Sequence, residues 1–494
     1  MCVSGLDDDE AELADLLAEL LSLRETVARE GAALFEDWGI LTVDAEARAR
    51  AENLSHYLAL RGHDLTPLQY RLAARGLSSL GRSEAGVLPA LDALIVTLKR
   101  LCGQAVEAYP AASLMRSGAA ELEAETRRMF GPAREGAQRT RILGTLPTEA
   151  ASDPKLVERL IAAGLNCARI NCAHDDAIVW QAMIDNIRSA EGKLDAECRV
   201  LMDIAGPKCR VTEVSAPAKY RLERGEKLRI VRSLAKSSDV AQFVISYPTI
   251  LDQLKVGAEV FIDDGKAAAQ VTALIAGGVE IEVYAAREKG VRLKIDKGLN
   301  FPTTEVEIAP LTAKDFRDLN FVAAHADLVG FSFVQRVEDI ELLQDHLAAR
   351  RRGLPPQPIV LKIETPLAVR NLPRLILQSL AHNPTAVMIA RGDLAVEIGF
   401  ARLSEMQEEI LWLSEAARTP VVWATQVLDQ FVRDGVANRA EMTDAAMAQG
   451  AECVMLNKGA HLAEGIAFLR DVLSRMDRHH AKKFARYTHL RAWT

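Results

Sequence analysis

The feature that most constrains this chain is a strand–helix alternation that begins near Thr140 and comprises eight units. Each unit pairs a short apolar, β-branched run with an amphipathic segment of helical periodicity, which is typical of parallel βα units. The predicted strands are TRILGTL from Thr140, CARINC from Cys167, RVLMDI from Arg199, DLVGFSFV from Asp327, PIVLKIE from Pro358, AVMIARG from Ala386, PVVWAT from Pro420 and CVMLN from Cys453. Eight such units favour a closed (β/α)8 barrel over an open sheet.

Two segments do not follow this alternation. Residues 1–137 show helical periodicity only and predict an all-helical extension, either a bundle packed on the barrel or a module that binds a partner or ligand. Between Val211 and Asp296, short alternating runs such as KLRIV and VEIEVY predict a small antiparallel β domain inserted after the third strand. The predicted organisation is a helical extension at 1–137, a first barrel part at 138–210, an inserted β lid at 211–296 and a second barrel part at 297–494. A domain above the C-terminal barrel face is suited to exclude water from a site.

Charge, cysteine usage and hydropathy exclude several classes of protein. The 494 residues include 60 Lys and Arg against 68 Asp and Glu, a net charge of −8, so the basic excess typical of nucleic-acid binding is missing. The seven cysteines are scattered and form no C-x-x-C pair, which favours reduced thiols over disulfides or zinc ligands. No apolar run approaches the roughly 20 residues that span a bilayer, and the acidic N-terminus does not resemble a secretory signal. We therefore expect a cytoplasmic protein that binds neither membrane nor nucleic acid.

Polar side chains are concentrated where the predicted strands end, which is the face that carries the active site in barrels of this kind. They are Arg169, Asn171, Asp203, Ser332, Lys362, Glu364, Arg391, Asp393 and Thr425. Lys362 and Glu364 are two positions apart on an otherwise apolar strand, so both side chains should face the barrel mouth. A structural salt bridge is the alternative, but a buried pair usually adds little stability relative to apolar residues.

Glu364 and Asp393 are the predicted metal ligands. Two carboxylates with open coordination positions suit Mg2+ or Mn2+, which retain waters and bind substrate oxygens. A helix N-cap is the alternative for Asp393. Arg169 is suited to hold a phosphate bidentately and Lys362 to stabilise charge on a transferring phosphoryl group, although either one taken singly is also a candidate ion-pair partner.

From about Arg139 to Met476 these segments make the chain resemble the pyruvate kinase family. The matching pieces are GLNCARINCAH, MDIAGPKCRV, FIDDGK, KGLNFP, GFSFV, LKIE, ARGDLAVEI, WATQVL and NRAEMTDAA. The resemblance implies a glycolytic phosphotransferase that moves the phosphoryl group of phosphoenolpyruvate to ADP, giving pyruvate and ATP with the help of Mg2+ or Mn2+.

The resemblance also implies roles for individual residues. The implied catalytic residues are Lys362, Thr425 and Arg169. The implied substrate-binding residues are Arg169, Lys362, Gly392, Asp393 and Thr425. The implied nucleotide-binding residues are Asn171, His174, Arg210 and Lys297, and the implied metal ligands are Glu364 and Asp393.

The residues that would hold a monovalent cation in this family are altered. Asn171 and Asp203 remain, but Ala173 and Ile204 stand in place of a serine and a threonine, and Lys208 stands in place of a nearby glutamate. An ammonium is a compact monovalent cation, so we expect Lys208 to occupy this place beside Asn171 and Asp203, and K+ not to be required. The alternative is that Lys208 points to solvent.

Two further departures concern the end of the barrel. Residues 457–460, Asn-Lys-Gly-Ala, replace the family's S-G-E-T and remove a serine implicated in delivering the enolate proton, so protonation is expected to depend on Thr425 and water. The chain ends soon after the eighth strand, so the family's C-terminal regulatory domain is expected to be absent, together with activation by a sugar phosphate through it.

Two other functions stay open on the sequence. A metal-dependent lyase acting through a pyruvate enolate would also use a Glu and an Asp on barrel strands, although retention of Lys362 and the lid favours phosphoryl transfer. A non-catalytic scaffold is disfavoured because Lys362, Glu364, Asp393 and Thr425 are all retained. The oligomeric state is open, with a homo-oligomer as one option.

Overall fold

The computed structural model describes residues 4–39, 45–106, 108–134, 139–217, 219–236, 238–482 and 484–485. Within these ranges the chain forms an N-terminal set of helices, a closed parallel barrel and a separate β sheet inserted after the third barrel strand. The predicted fold class is therefore confirmed, while the exact domain limits stay a prediction. In the described part of the chain, no helix is long and apolar enough to cross a membrane.

Helices alone make up the region before the barrel. They are α1 (Ser4–Trp38), α2 (Ala45–Arg61), α3 (Thr66–Ala74), α4 (Val87–Leu101) and α5 (Ala112–Phe130). In the leucine stripe of α1, Leu16 and Leu20 are fully buried, whereas Leu21 is 42% exposed. This difference is what a helix with one apolar face produces, and that face packs against α2 and α4.

The barrel starts with three strands and two helices. They are β1 (Arg141–Thr145), α6 (Pro154–Ala163), β2 (Cys167–Asn171), α7 (Ala177–Leu194) and β3 (Arg199–Ile204). The Asp153 side chain caps α6 by accepting from the Leu156 N–H, and the Asp176 side chain caps α7 in the same way. Strands β1 and β2 therefore pass into their helices through capped loops at the C-terminal face.

The inserted lid follows β3. Its strands are β4 (Val211–Ser215), β5 (Arg221–Leu222), β6 (Lys227–Val231), β7 (Gln242–Ile245), β8 (Glu259–Ile262), β9 (Ala267–Ile275), β10 (Gly278–Ala286), β11 (Val291–Arg292) and β12 (Leu299–Asn300). Seven of them form a sheet in the order β12-β8-β9-β10-β6-β7-β4, and β5 pairs with β11. The sheet is mostly antiparallel, and residues such as Ile230, Phe243 and Ile281 give it a core of its own.

The second barrel part completes the ring. Its strands are β13 (Leu328–Phe331), β14 (Ile359–Ile363), β15 (Thr385–Ala390), β16 (Val421–Ala424) and β17 (Cys453–Leu456). Its helices are α8 (Ala313–His325), α9 (Val337–Arg350), α10 (Pro366–Leu380), α11 (Arg391–Ile398), α12 (Phe400–Ala416), α13 (Asp429–Asp434), α14 (Arg439–Met447) and α15 (Leu462–His479). A short hairpin, β18 (His480–Ala481) with β19 (Phe484–Ala485), follows α15. Parallel pairing of β17 with β1 closes the barrel.

The C-terminal end of α5 fills the mouth of the barrel at the N-terminal ends of the strands, called the lower mouth below. Met129 and Phe130 are fully buried and belong to one hydrophobic cluster with inward-facing strand residues such as Leu143, Val360 and Val422. Beside this plug, Arg141 of β1 donates a hydrogen bond to the carbonyl of Gly131 at 3.2 Å and also pairs with Glu123 of α5. The end of the helical extension is thus part of the barrel interior.

A second contact holds the helical extension against the side of the barrel. Helix α2 packs on α10 and α12. The Asn53 amide donates to the carbonyls of Glu84 at 2.7 Å and Ala416 at 2.8 Å, and its oxygen accepts from the Val87 N–H at 3.0 Å. One buried side chain therefore joins α2, the start of α4 and the end of α12.

Candidate active site

A buried lysine is at the centre of the C-terminal barrel mouth. Lys362 Nζ, near the end of β14, lies 2.6 Å from Ser332 Oγ, 3.2 Å from Glu364 Oε1 and 3.3 Å from Asp203 Oδ1. Burial acts to lower the pKa of Lys362, but the carboxylates of Asp203 and Glu364 outweigh burial and raise it above its ordinary value. The ammonium is therefore held in its charged form.

Asp203, at the end of β3, forms ion pairs with both Lys362 and Arg169. Its carboxylate accepts from Arg169 Nε at 2.8 Å and also from Nη2, while Arg169 Nη1 donates to Thr145 Oγ1 at 3.1 Å. Burial acts to raise the pKa of Asp203, but Lys362 and Arg169 outweigh burial and hold it below its ordinary value. Asp203 therefore fixes the positions of two cations, one from β2 and one from β14.

Glu364 and Asp393 are the two carboxylates that the sequence predicts to bind a metal ion. Glu364 is buried and accepts the Phe333 N–H at 2.5 Å. Burial raises the pKa of Glu364, and the nearby Asp393 carboxylate raises it further against the opposing effect of Lys362. Asp393 lies in the first turn of α11. Two repelling oxygen donors fit a hard divalent cation such as Mg2+ or Mn2+. No group of three or more acidic, histidine or cysteine residues suited to a metal occurs in the described ranges.

The structure places Lys208 differently from the expected monovalent-cation site. Its Nζ lies 2.6 Å from Asp393 Oδ1 and 3.7 Å from Asp264 Oδ1 in the lid, and it forms no salt bridge with Asp203. The reason is that Arg169 and Lys362 already compensate Asp203, whereas Asp393 faces Lys208 without another cation bonded to it among the described residues. The Asn171 side-chain oxygen accepts the Ala173 N–H at 3.0 Å. The expected grouping of Lys208 with Asn171 and Asp203 is thus not formed.

Thr425 and Gly392 meet at the ends of β16 and β15. The Gly392 N–H, in the first turn of α11, donates to Thr425 Oγ1 at 2.7 Å. N–H groups in a first helical turn have no partner within the helix, and the Thr425 side chain supplies the partner of this one. Thr425 has a left-handed backbone with φ of 67°.

The four predicted nucleotide-binding residues lie as two pairs. Asn171 and His174 are in the loop after β2, where the His174 N–H donates to the Asn171 carbonyl at 3.1 Å. Burial lowers the pKa of His174, and the cation of Lys458 after β17 lowers it further. Arg210 and Lys297 are on the two arms that connect the lid to the barrel.

The two lid arms run side by side. Arg210 forms a bridge with Gly298 and donates from Nη1 to the Asp296 carbonyl at 2.8 Å. Lys297 Nζ donates to Asp263 Oδ1 at 2.8 Å in the lid. The arrangement keeps Arg210 and Lys297 close together at the hinge.

Sequence analysis missed Glu397 and Asn300. Glu397, one turn after Asp393 on α11, accepts from Asn300 Nδ2 at 2.8 Å and ties the lid arm to the barrel. Burial raises the pKa of Glu397 to about 7. The signal for Glu397 is present in ARGDLAVEI, because residues four apart lie on one face of a helix. Asn300 has no comparable signal, since its partner is distant in the sequence.

Comparisons with known proteins place the chain in a family. Residues 137–466 match the family profile "Pyruvate kinase, barrel domain". A pyruvate kinase from Agrobacterium vitis is 32% identical over 349 residues, which cover 69% of this chain and 69% of that protein. One from Bacillus licheniformis is 32% identical over 351 residues, which cover 69% of this chain but 57% of that protein. A solved pyruvate kinase structure from Cryptosporidium parvum superposes with a TM-score of 0.63 at 25% identity, covering 71% of this chain and 72% of that one. The chain therefore belongs to the pyruvate kinase family of enzymes.

Proposed function

We propose that this protein is a pyruvate kinase, which transfers the phosphoryl group of phosphoenolpyruvate to ADP. Family membership supports the enzyme class, and the observation that carries the reaction is the Lys362 ammonium, kept charged between Asp203 and Glu364. A fixed cation in a buried site stabilises negative charge on a transferring phosphoryl group, and it does so without reorganisation during the reaction.

Other residues at the mouth are assigned to substrate and nucleotide. Arg169 keeps donors on its guanidinium beyond those given to Asp203 and Thr145, and we assign these to the phosphate. The backbone N–H groups of Gly392 and Asp393 and the Thr425 hydroxyl are assigned to the carboxylate end of phosphoenolpyruvate, which would share the Gly392 N–H with Thr425 Oγ1. We assign the nucleotide phosphates to the residues around the hinge and the loop after β2, namely Asn171, His174, Arg210 and Lys297.

Glu364 and Asp393 would hold Mg2+ or Mn2+. When bound, such an ion supplies positive charge that compensates the phosphoryl oxygens and polarises them. Burial and the neighbouring Asp393 carboxylate raise the pKa of Glu364, and a cation bound between the two carboxylates would relieve this effect, which supports the assignment. Lys208 contacts Asp393 at 2.6 Å and would share this carboxylate with the metal ion.

We infer that K+ is not required. Ala173 and Ile204 offer no side-chain oxygen, and two cations already compensate Asp203. Lys208 adds a further positive charge beside Asp393. Turnover should therefore be unchanged when Na+ replaces K+, and a strong K+ requirement would contradict this inference.

The enolate formed after phosphoryl transfer needs a proton. Residues 457–460 provide no serine, so we assign delivery of the proton to the Thr425 hydroxyl and water. We also propose a cytosolic location, in which the cysteines stay reduced. The six described cysteines are free thiols, five of them buried.

A coupled assay for pyruvate tests the proposal. The protein is mixed with phosphoenolpyruvate, ADP and Mg2+, and pyruvate is measured through NADH oxidation by lactate dehydrogenase. Asp393→Asn is the matched inactive control, since it preserves size but removes metal-binding charge. Cleavage of a carbon–carbon bond without ADP consumption would indicate a lyase, and no turnover of either kind would indicate a scaffold.

A further inference from the structure

We propose that Arg391 and Asp444 act together as positioning residues that hold Thr425 in its active orientation. This inference rests on the proposed function, because it assigns how the Thr425 hydroxyl is aimed at the substrate. Neither side chain needs to touch substrate, so both act through the loop that follows β16.

The loop after β16 has a strained backbone. Thr425, Gln426 and Leu428 have φ values of 67°, 58° and 49°, which is the left-handed region that favours glycine. A non-glycine residue in this region is strained and persists only where surrounding contacts impose the conformation. The loop therefore needs a rigid clamp, and the neighbouring contacts identify it.

Arg391 is that clamp. Its Nε donates to the Ala424 carbonyl at 3.0 Å, and its Nη2 donates to the Thr425 carbonyl at 2.6 Å. The next residue, Gly392, donates its N–H to Thr425 Oγ1 at 2.7 Å. Two consecutive residues of α11 thus hold the backbone and the side chain of Thr425 at once.

Asp444 of α14 fixes the clamp itself. It accepts from Arg391 Nη2 at 2.9 Å and from Nη1, forming a bidentate pair, and from Trp423 Nε1 at 3.3 Å. The Arg391 guanidinium lies over the Trp423 ring, 4.6 Å from its centroid. A guanidinium is planar, and its N–H groups donate in fixed directions. Because Arg391 donates to two carbonyls and to Asp444 while its face stacks on Trp423, it is held in one orientation.

The clamp has a chemical consequence for Thr425. Its Oγ1 already accepts a hydrogen bond from Gly392, so the hydroxyl proton is free to be donated to a bound molecule. Relaxation of the strained loop would move this proton away from the enolate. The residues assigned to the nucleotide lie in the loop after β2 and at the lid hinge, so binding of ADP and exchange of the pyruvate methyl protons can be measured separately.

The experiment compares Arg391→Lys and Asp444→Asn with the wild-type enzyme. Arg391→Lys keeps the positive charge but removes the guanidinium group that donates to Asp444 and to the two carbonyls. Asp444→Asn keeps the size of the side chain but removes its negative charge. We expect kcat and the exchange of pyruvate methyl protons with solvent to fall by about 10-fold to 100-fold, as for a small misplacement of a reacting group, while the KM for ADP and the melting temperature change little. The matched control is Arg475→Lys with Asp471→Asn, an exposed pair on α15 at 2.8 Å, which should change neither rate.

A Thr425→Ala background separates positioning from general stability. If Arg391 acts through Thr425, adding Arg391→Lys to Thr425→Ala should reduce proton exchange by less than 2-fold further, since the hydroxyl to be positioned is gone. An equal loss in both backgrounds, or unchanged exchange in the single variants of an active wild-type enzyme, would overturn the positioning role. An inactive wild-type enzyme would overturn the proposed function, and this inference with it.

Discussion

Individual charges at the barrel mouth are balanced in pairs. Lys362 is compensated by Asp203 and Glu364, Arg169 by Asp203, and Lys208 by Asp393. Removing one partner of a buried pair leaves an uncompensated charge, which is far more costly than removing both. Single substitutions here should therefore affect catalysis strongly, and each needs a check that the protein is still folded.

Lys362→Met should lower kcat much more than it raises the KM for phosphoenolpyruvate. The ammonium is expected to interact mainly with charge that develops during transfer, and removing one such electrostatic contact typically costs about 10²–10³-fold in kcat. Steady-state kinetics measure the effect, circular dichroism checks folding, and Lys155→Met at an exposed position of α6 is the control. A near-normal kcat would contradict the role proposed for Lys362.

Glu397 should make stability depend on pH. Its pKa is raised from 4.5 to about 7 in the folded protein, so the folded state binds this proton more tightly than the unfolded state. The stabilisation is present below about pH 4.5 and is lost as the pH rises through 7, and it amounts to on the order of 3 kcal/mol. Urea unfolding from pH 5 to pH 8 should show a smaller loss of stability in Glu397→Gln than in the wild-type protein. The control is Glu405→Gln on α12, and parallel curves for the wild-type protein and Glu397→Gln would refute the effect.

At the scale of elements, local sequence patterns predicted the barrel strands. The partner of Lys208 and the position of α5 depend instead on contacts between residues that are distant in the sequence. The polar residues at strand ends could be identified because parallel strands bring their C-terminal ends to one face of the barrel. The partner of Lys208 could not, since the choice between Asp203 and Asp393 depends on which carboxylate other cations already occupy. The docking of α5 inside the barrel was also beyond prediction, because Met129 and Phe130 look like any apolar end of an amphipathic helix.

Phe130→Ala should destabilise the barrel by about 3–5 kcal/mol, because it leaves a cavity where the side chain is fully buried. Urea unfolding followed by tryptophan fluorescence measures this change, since residues 211–296 contain no tryptophan and the lid does not contribute. Leu114→Ala on the same helix is the control, because Leu114 is 53% exposed. Equal stabilities for Phe130→Ala and the wild-type protein would contradict the plug.

The whole molecule has separate cores on the two sides of the hinge. One hydrophobic cluster joins the extension helices to the outer layer of the barrel, and another fills the barrel interior around Phe130. The lid core is a third, distinct cluster. Elements that share a core tend to open together, so the extension and barrel should behave as one unit and the lid as another.

Hydrogen exchange tests this division. Phe243→Ala, which removes a buried side chain from the lid core, should speed amide exchange in the strands β4–β12 and leave the barrel unchanged. Phe130→Ala should speed exchange in α5 and the barrel strands instead. Faster exchange throughout the molecule in both variants would show that the two units open together.

The plug at the lower barrel mouth also affects how the chain is made. About 320 residues separate Phe130 from Cys453, where the last strand around the plug begins. At roughly 5–20 residues per second, the ribosome takes about 16–65 s to synthesise that stretch. Throughout this interval the apolar end of α5 has no finished barrel to enter, so the nascent chain carries Met129 and Phe130 uncovered and open to chaperones until its final strand emerges.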